Sequence, residues 1–123
     1  MFGAQTTMLY YRDLAAARAF YGGLLGLEVG FDADWATLYR ATATSMIGVI
    51  GEHPSAYHQP QARSAVMVSL VVDAPAEVDA WHARLRGGGA AILKPPYDHA
   101  AAPIRALLVA DPGGYAVELM AWR

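Results

Sequence analysis

One order of elements occurs twice in this chain, and that repeat constrains the fold more than any single motif. Residues 6–11 are rich in Thr, Leu and Tyr and read as a strand. Asp13 then offers a side-chain oxygen to cap a helix. Leu14, Ala17, Tyr21 and Leu24 follow at helical spacing, and Phe20 widens the apolar stripe. Gly22, Gly23 and Gly26 are expected to close that helix. Residues 27–31 alternate with period two as a second strand, Asp32, Ala33 and Asp34 make a turn, and residues 35–40 and 44–50 supply two more strands. Residues 51–62 differ in kind: Gly51, Pro54 and Pro60 mark a loop or linker.

The same order then returns. Residues 64–72 form a strand with Val66, Val68, Leu70 and Val72 on one face. Asp73 and Pro75 mark a helix start, Val78, Trp81 and Leu85 share one helical face, and Gly87, Gly88 and Gly89 end it. Three strands follow over residues 91–93, 104–110 and 115–122, the last two joined by a turn at Asp111-Pro112-Gly113-Gly114. The period is about 60 residues, with Asp13 matched to Asp73 and Leu24 roughly to Leu85. This order predicts an α+β fold of two βαβββ modules within a single domain over residues 1–123: module 1 over 1–50, a linker over 51–62 and module 2 over 63–123.

Composition narrows the function classes. Hydrophobic residues make up 55% of the 123 positions and charged residues 16%, which excludes a disordered chain and leaves apolar surface for a homodimer to cover. The net charge is −2 and Lys94 is the only lysine, so no basic patch exists for nucleic acid. Without cysteine there are no disulfides, thiolate nucleophiles or cysteine-held metals. The N-terminal residues lack a basic region followed by an apolar run, and no apolar stretch reaches the roughly 18 residues of a membrane span. A cytoplasmic protein with no membrane partner is therefore expected.

Two stretches carry a family resemblance. Tyr10-Tyr11-Arg12-Asp13-Leu14 is followed by Phe20-Tyr21-Gly22-Gly23-Leu24-Leu25-Gly26-Leu27-Glu28, and near the C-terminus Pro103 and Arg105 precede Asp111-Pro112-x-Gly114-x-x-x-Glu118-Leu119. In this order and spacing they resemble the vicinal oxygen chelate superfamily of glyoxalases, bleomycin-resistance proteins and ring-cleaving dioxygenases. The resemblance covers essentially the whole chain. It implies curved sheets that form an open cup, helices packed outside and completion by dimerisation. It also implies a divalent metal held by His, Glu or Gln from the strands, acting as a Lewis acid on a bound oxygen. The matching ligand positions here are Thr6, Val66 and Glu118. Valine cannot bind metal and a neutral threonine hydroxyl binds it poorly, so one ligand remains where three are normally needed. No metal site and no cofactor are expected. A divalent metal in an atypical site is the alternative.

Glu118 is the candidate catalytic residue. On a period-two strand it shares a face with Ala116 and Met120. If the implied geometry holds, Thr6, Met8, Tyr10, Val66, Val68 and Leu70 line the same cup. A carboxylate among such walls serves as proton donor, proton acceptor or anchor for a cationic ligand. It can equally be a strand glutamate that faces solvent or pairs with Arg105. His99 follows Tyr97 and Asp98 on a loop flanked by Pro95, Pro96 and Pro103, placed to close a cup. Trp35, Tyr39, Tyr57, Tyr97 and Trp122 stand outside the helix stripes and suit a flat organic ligand, or else fill core and interface. The candidate binding set is thus Thr6, Met8, Tyr10, Trp35, Tyr39, Tyr57, Val66, Val68, Tyr97, His99, Arg105 and Met120. Arg12, Arg18, Arg84 and Arg86 read as solvated charges.

Two functions follow from the resemblance. One is a metal-independent protein that binds a small aromatic or amphipathic compound, as in antibiotic resistance by sequestration. The other is a lyase, isomerase or ring-cleaving dioxygenase that uses Glu118 as base or as a ligand of an atypical metal site, completed by His99 or a partner-chain group.

Overall fold

A computed structural model describes all of residues 1–123. The chain divides into two compact units, Met1–Ala62 and Arg63–Arg123.

The first unit contains β1 (Gln5–Tyr10), α1 (Leu14–Arg18), a π-helical segment (Ala19–Leu24), β2 (Glu28–Ala33), β3 (Ala36–Thr42) and β4 (Ser45–Ile50). Its sheet has the order β1-β4-β3-β2, with β1 parallel to β4 and the other pairs antiparallel. A parallel pair needs a crossover, and the helical stretch between β1 and β2 begins that connection. Asp13 starts it, its carboxylate accepting from the Ala16 N–H at 3.0 Å. Gly26 ends it with φ 71°, a conformation that favours glycine. Gly22 and Gly23 do not close the helix as expected but lie inside the π-helical segment. Gly22 is needed there for space: a Cβ would stand 3.0 Å from the Tyr39 ring and hydroxyl. The Tyr39 ring stacks on Tyr21 with centroids 6.4 Å apart, and Leu9, Ile47 and Val49 are buried on the same sheet face. That face is the core of the unit.

Arg18 is not the solvated charge that its position suggested. Its Nε donates to the Thr37 hydroxyl at 2.9 Å and its Nη2 to the Ala33 carbonyl at 2.7 Å, tying α1 to the β2–β3 hairpin.

The second unit contains β5 (Met67–Val71), α2 (Pro75–Gly87), β6 (Ala91–Asp98), β7 (Ile104–Ala110) and β8 (Ala116–Trp122). The sheet order is β5-β8-β7-β6, again with one parallel pair, β5 with β8. Both sheets are four-stranded, mixed and open, so the architecture is the α+β pair of modules expected from the repeat. Val78 and Leu85 of α2 are buried, as are Leu107, Val109, Val117, Leu119 and Ala121 of the strands. The β7–β8 turn is held by Asp111, whose Oδ1 accepts from the N–H groups of Gly113 and Tyr115, both at 2.9 Å. Gly114 completes it at φ 82°.

Two strands differ from expectation. β6 runs on through Pro95 and Pro96 to Asp98, because it is the edge of its sheet and a missing N–H is tolerated there. Tyr97 and Asp98 are therefore strand residues rather than loop residues. β5 begins only at Met67, which leaves Val66 outside it.

The repeat is real, but it is offset by one residue from the match of Asp13 with Asp73. The second helix is capped at Ala74, with Pro75 in its first turn and the Glu77 carboxylate accepting from the Ala74 N–H at 2.8 Å. The strands share this offset. Met8 lies opposite Gly48 in the first unit, and Ser69 opposite Glu118 in the second.

Candidate functional site

Strand register sorts the candidate residues by sheet face. In the second unit, Ser69, Glu118, Leu108 and Lys94 stand in one row across β5, β8, β7 and β6. The next row is Val71, Met120, Ala106 and Tyr97. Both rows lie on the face opposite Val117, Leu119 and Ala121, which pack into the core. Tyr97 packs on Ile104, Ala106 and Met120, which fixes its side chain on this same face.

Glu118 is half-buried in the middle of that face. Its Oε1 accepts from the Ser69 hydroxyl at 2.7 Å, across the parallel pair β5 and β8. No cation pairs with it, and its Oε2 makes no hydrogen bond within the chain. Diagonally across β5 stand the exposed apolar side chains of Met67 and Val71, and Trp122 is exposed farther along β8 on the same face. A charge-assisted acceptor set in an apolar surface can take a donor or a cation from a ligand.

Several candidates are placed elsewhere. Val68 is in register with Val117 and therefore faces the core side, while Val66 precedes the strand. The one-residue offset puts Met67 and Ser69 where Val66 and Val68 were expected. Arg105 also lies on the core side. Its guanidinium holds Asp79 of α2 through two bonds and Asp98 through a third at 3.2 Å. It is a structural tie between helix and sheet and does not pair with Glu118. His99 follows β6 and stays near the face: its ring lies 6.1 Å from that of Tyr97, while its Nδ1 accepts from the Ala101 N–H at 3.0 Å and fixes the loop.

In the first unit, Thr6, Met8 and Tyr10 do share the face opposite the core, since their neighbours on β1, Thr7 and Leu9, are in register with Ile47 and Val49. Tyr10 meets His58 edge-on at 5.3 Å, and His58 meets the exposed Tyr57 at 4.8 Å, so the linker lays an aromatic cluster against β1. Trp35 sits in the β2–β3 turn, one residue before the strand assigned to it, and stacks on His53 at 4.6 Å. Tyr39 is a core residue, not a ligand contact. It is 3% exposed, and burial pushes its hydroxyl above the ordinary tyrosine range against the opposing pull of the Arg18 charge. Ser69 and Lys94 are the polar residues of the two rows in the second unit that the candidate set lacked.

The donor set does not fit a divalent transition metal. No group of three or more His, Asp or Glu side chains comes together in either unit. The position matched to Thr6 becomes Met67 once the offset is applied, which adds no hard ligand.

No helix is long and apolar enough to cross a membrane. Comparison with curated protein sequences gave no match. Among solved structures, the chain is similar to a glyoxalase/bleomycin resistance protein/dioxygenase from Nocardioides, with 23% identity, a TM-score of 0.76 and coverage of 99% of this chain and 83% of that one. A lactoylglutathione lyase from Agrobacterium tumefaciens is similar at 22% identity and TM-score 0.76, over 95% of this chain and 91% of that one. A genomically encoded fosfomycin resistance protein from Listeria monocytogenes is similar at 19% identity and TM-score 0.78, over 100% of this chain and 95% of that one. These likenesses are likenesses of fold. Residues 3–119 match the model of a single family, and the chain belongs to the glyoxalase/bleomycin resistance protein/dioxygenase superfamily.

Proposed function

We propose that this chain binds a small aromatic or amphipathic compound without a metal, on the sheet face of the second unit that carries Glu118. The observation that carries the reading is the Ser69–Glu118 bond of 2.7 Å, flanked on the same face by the exposed Met67 and Val71. Ser69 fixes the carboxylate and occupies one oxygen, leaving the other for a ligand. The apolar neighbours supply contact area, and one polar anchor supplies orientation. Binding alone protects a cell when the compound is toxic, so the protein acts by sequestration in the manner of an antibiotic-resistance protein. It does so as a homodimer in the cytoplasm. The exposed Val29 and Phe31 on β2 support the dimer, because apolar side chains of that size favour a partner surface.

Elemental analysis tests the metal-free part. After incubation with Zn, Fe, Mn and Ni and then dialysis, the protein is expected to retain less than one metal per chain. Stoichiometric retention would favour an enzyme that uses Glu118 as a metal ligand. Binding is tested by following the Trp122 indole resonance while aromatic compounds are added, with Glu118→Gln as comparison. A Trp122 signal that no aromatic compound moves would remove the reading.

A further inference from the structure

The two units carry matched rows of opposite character. In the first, Met8, Gly48, Leu38 and Phe31 stand in register across the sheet, and every one is apolar. In the second, the matching row is Ser69, Glu118, Leu108 and Lys94. Here the apolar Leu108 is flanked by a carboxylate on one side and the chain's only lysine on the other. Lys94 does not project freely: its Nζ lies over the Tyr97 ring, 3.8 Å from the centroid. Tyr97 in turn is packed on Ile104, Ala106 and Met120 of the Glu118 face, so the ammonium is held at that face's edge. Lys94 joins no ion pair, and neither does Glu118. Two strand spacings separate their backbones by about 9–10 Å, with Leu108 between them, and the Lys94 ammonium is turned onto the Tyr97 ring instead of toward Glu118. The face therefore keeps two opposite charges apart on an apolar floor, each facing solvent rather than the other.

We infer that the ligand of this face is zwitterionic: an anionic group at Lys94, a cationic group at Glu118 and a flat apolar body across Leu108. This rests on the reading of the Glu118 face given above and adds the ligand's charge pattern and its direction. A molecule bound the other way round would bring like charges together at both ends. The same pattern disfavours a plain hydrocarbon, which would cover both charges without pairing either.

Three probes of one shape separate the possibilities: para-(aminomethyl)benzoate, benzylamine and benzoate, each titrated while the Trp122 indole resonance is followed. The zwitterion is expected to bind more tightly than either singly charged probe. Lys94→Gln should weaken it about three- to fivefold and leave benzylamine unchanged, the size expected for an exposed charge pair. Glu118→Gln should weaken it similarly and leave benzoate unchanged. Glu118→Gln keeps the size and shape of its side chain, while Lys94→Gln removes the charge with a side chain one atom shorter. If benzylamine binds in a Glu118-dependent way but the zwitterion gains nothing and Lys94→Gln is silent, the charge pattern is wrong while the binding face stands. If none of the three probes moves Trp122, the face reading fails together with the inference. Zwitterion binding that neither substitution weakens would also overturn the inference.

Discussion

The guanidinium of Arg105 donates to both carboxylate oxygens of Asp79, from Nε at 3.0 Å and from Nη2 at 2.7 Å. This parallel pair joins β7 to α2 and holds the Asp79 carboxyl below the usual aspartate range, chiefly through the hydrogen bonds themselves. The folded chain therefore binds fewer protons than the unfolded chain as pH falls through that range. The pair's contribution is present at neutral pH and is lost as the solution is acidified through and below the ordinary value of 3.8. Asp79→Asn is expected to melt at a lower temperature than the parent at pH 7 and to converge with it in acid. Parallel thermal melts across the acid range check this. A difference that grows on acidification would contradict it.

The offset between the repeats gives a second prediction. Asp13→Ala removes a cap bond of 3.0 Å and should cost about 1 kcal/mol. Asp73→Ala, at the position that looks equivalent in the sequence, should change stability by less than about 0.5 kcal/mol, because the cap lies at Ala74. Urea denaturation of the two variants distinguishes them. Equal losses would mean that Asp73 does cap α2.

Neighbouring glycines in the π-helical segment should respond in opposite senses. Gly22→Ala brings a methyl group to 3.0 Å from the Tyr39 ring and hydroxyl, and that ring is buried in the core of the unit. A loss of about 1–3 kcal/mol follows. Around Gly23 there is open space and its φ is negative, so Gly23→Ala should stabilise by about 0.4–1 kcal/mol. Equilibrium unfolding of both proteins supplies the comparison.

Tyr39 sets an alkaline limit. Its hydroxyl is held neutral by burial, so the unfolded chain ionises first as pH rises past the ordinary value of 10.0. Stability is complete below that value and declines above it, until the folded hydroxyl itself ionises. Tyr39→Phe should cost no more than about 1.5 kcal/mol at neutral pH, where only long or shared hydrogen bonds are lost. Above the ordinary tyrosine range the variant should lose less stability per pH unit than the parent. Denaturation curves at several alkaline pH values test the slope.

How much of this was legible in the sequence depended on how sharply each segment alternates. β7 was bounded correctly over Ile104–Ala110, and the turn at Asp111 to Gly114 declared itself through its residue types. The strand before α2 did not declare its parity. Val66, Met67, Val68, Leu70, Val71 and Val72 are apolar on both faces, so period two could not say which face carried the site. Ser69 was the one polar signal there, and it marks the face that holds Glu118. Arg18 reads as a surface charge and Arg105 as a binding residue or partner of Glu118 because their actual partners, Thr37 and Asp79, are distant in sequence. Tyr39 looked available for a ligand because only register places it against Tyr21. Lys94 lay just before a proline pair that seemed to end the strand, so its place beside Leu108 was hidden.

That proline pair also decides how the second sheet can grow. Pro95 and Pro96 lie within the outer strand, β6, and neither has an N–H to offer an incoming strand. The irregular register on either side of Lys94 further spoils the template. Backbone recruitment is thereby discouraged at this margin and left to β5 at the other. With one border closed, this sheet can add strands in a single direction only, so it cannot by itself propagate side by side from both margins.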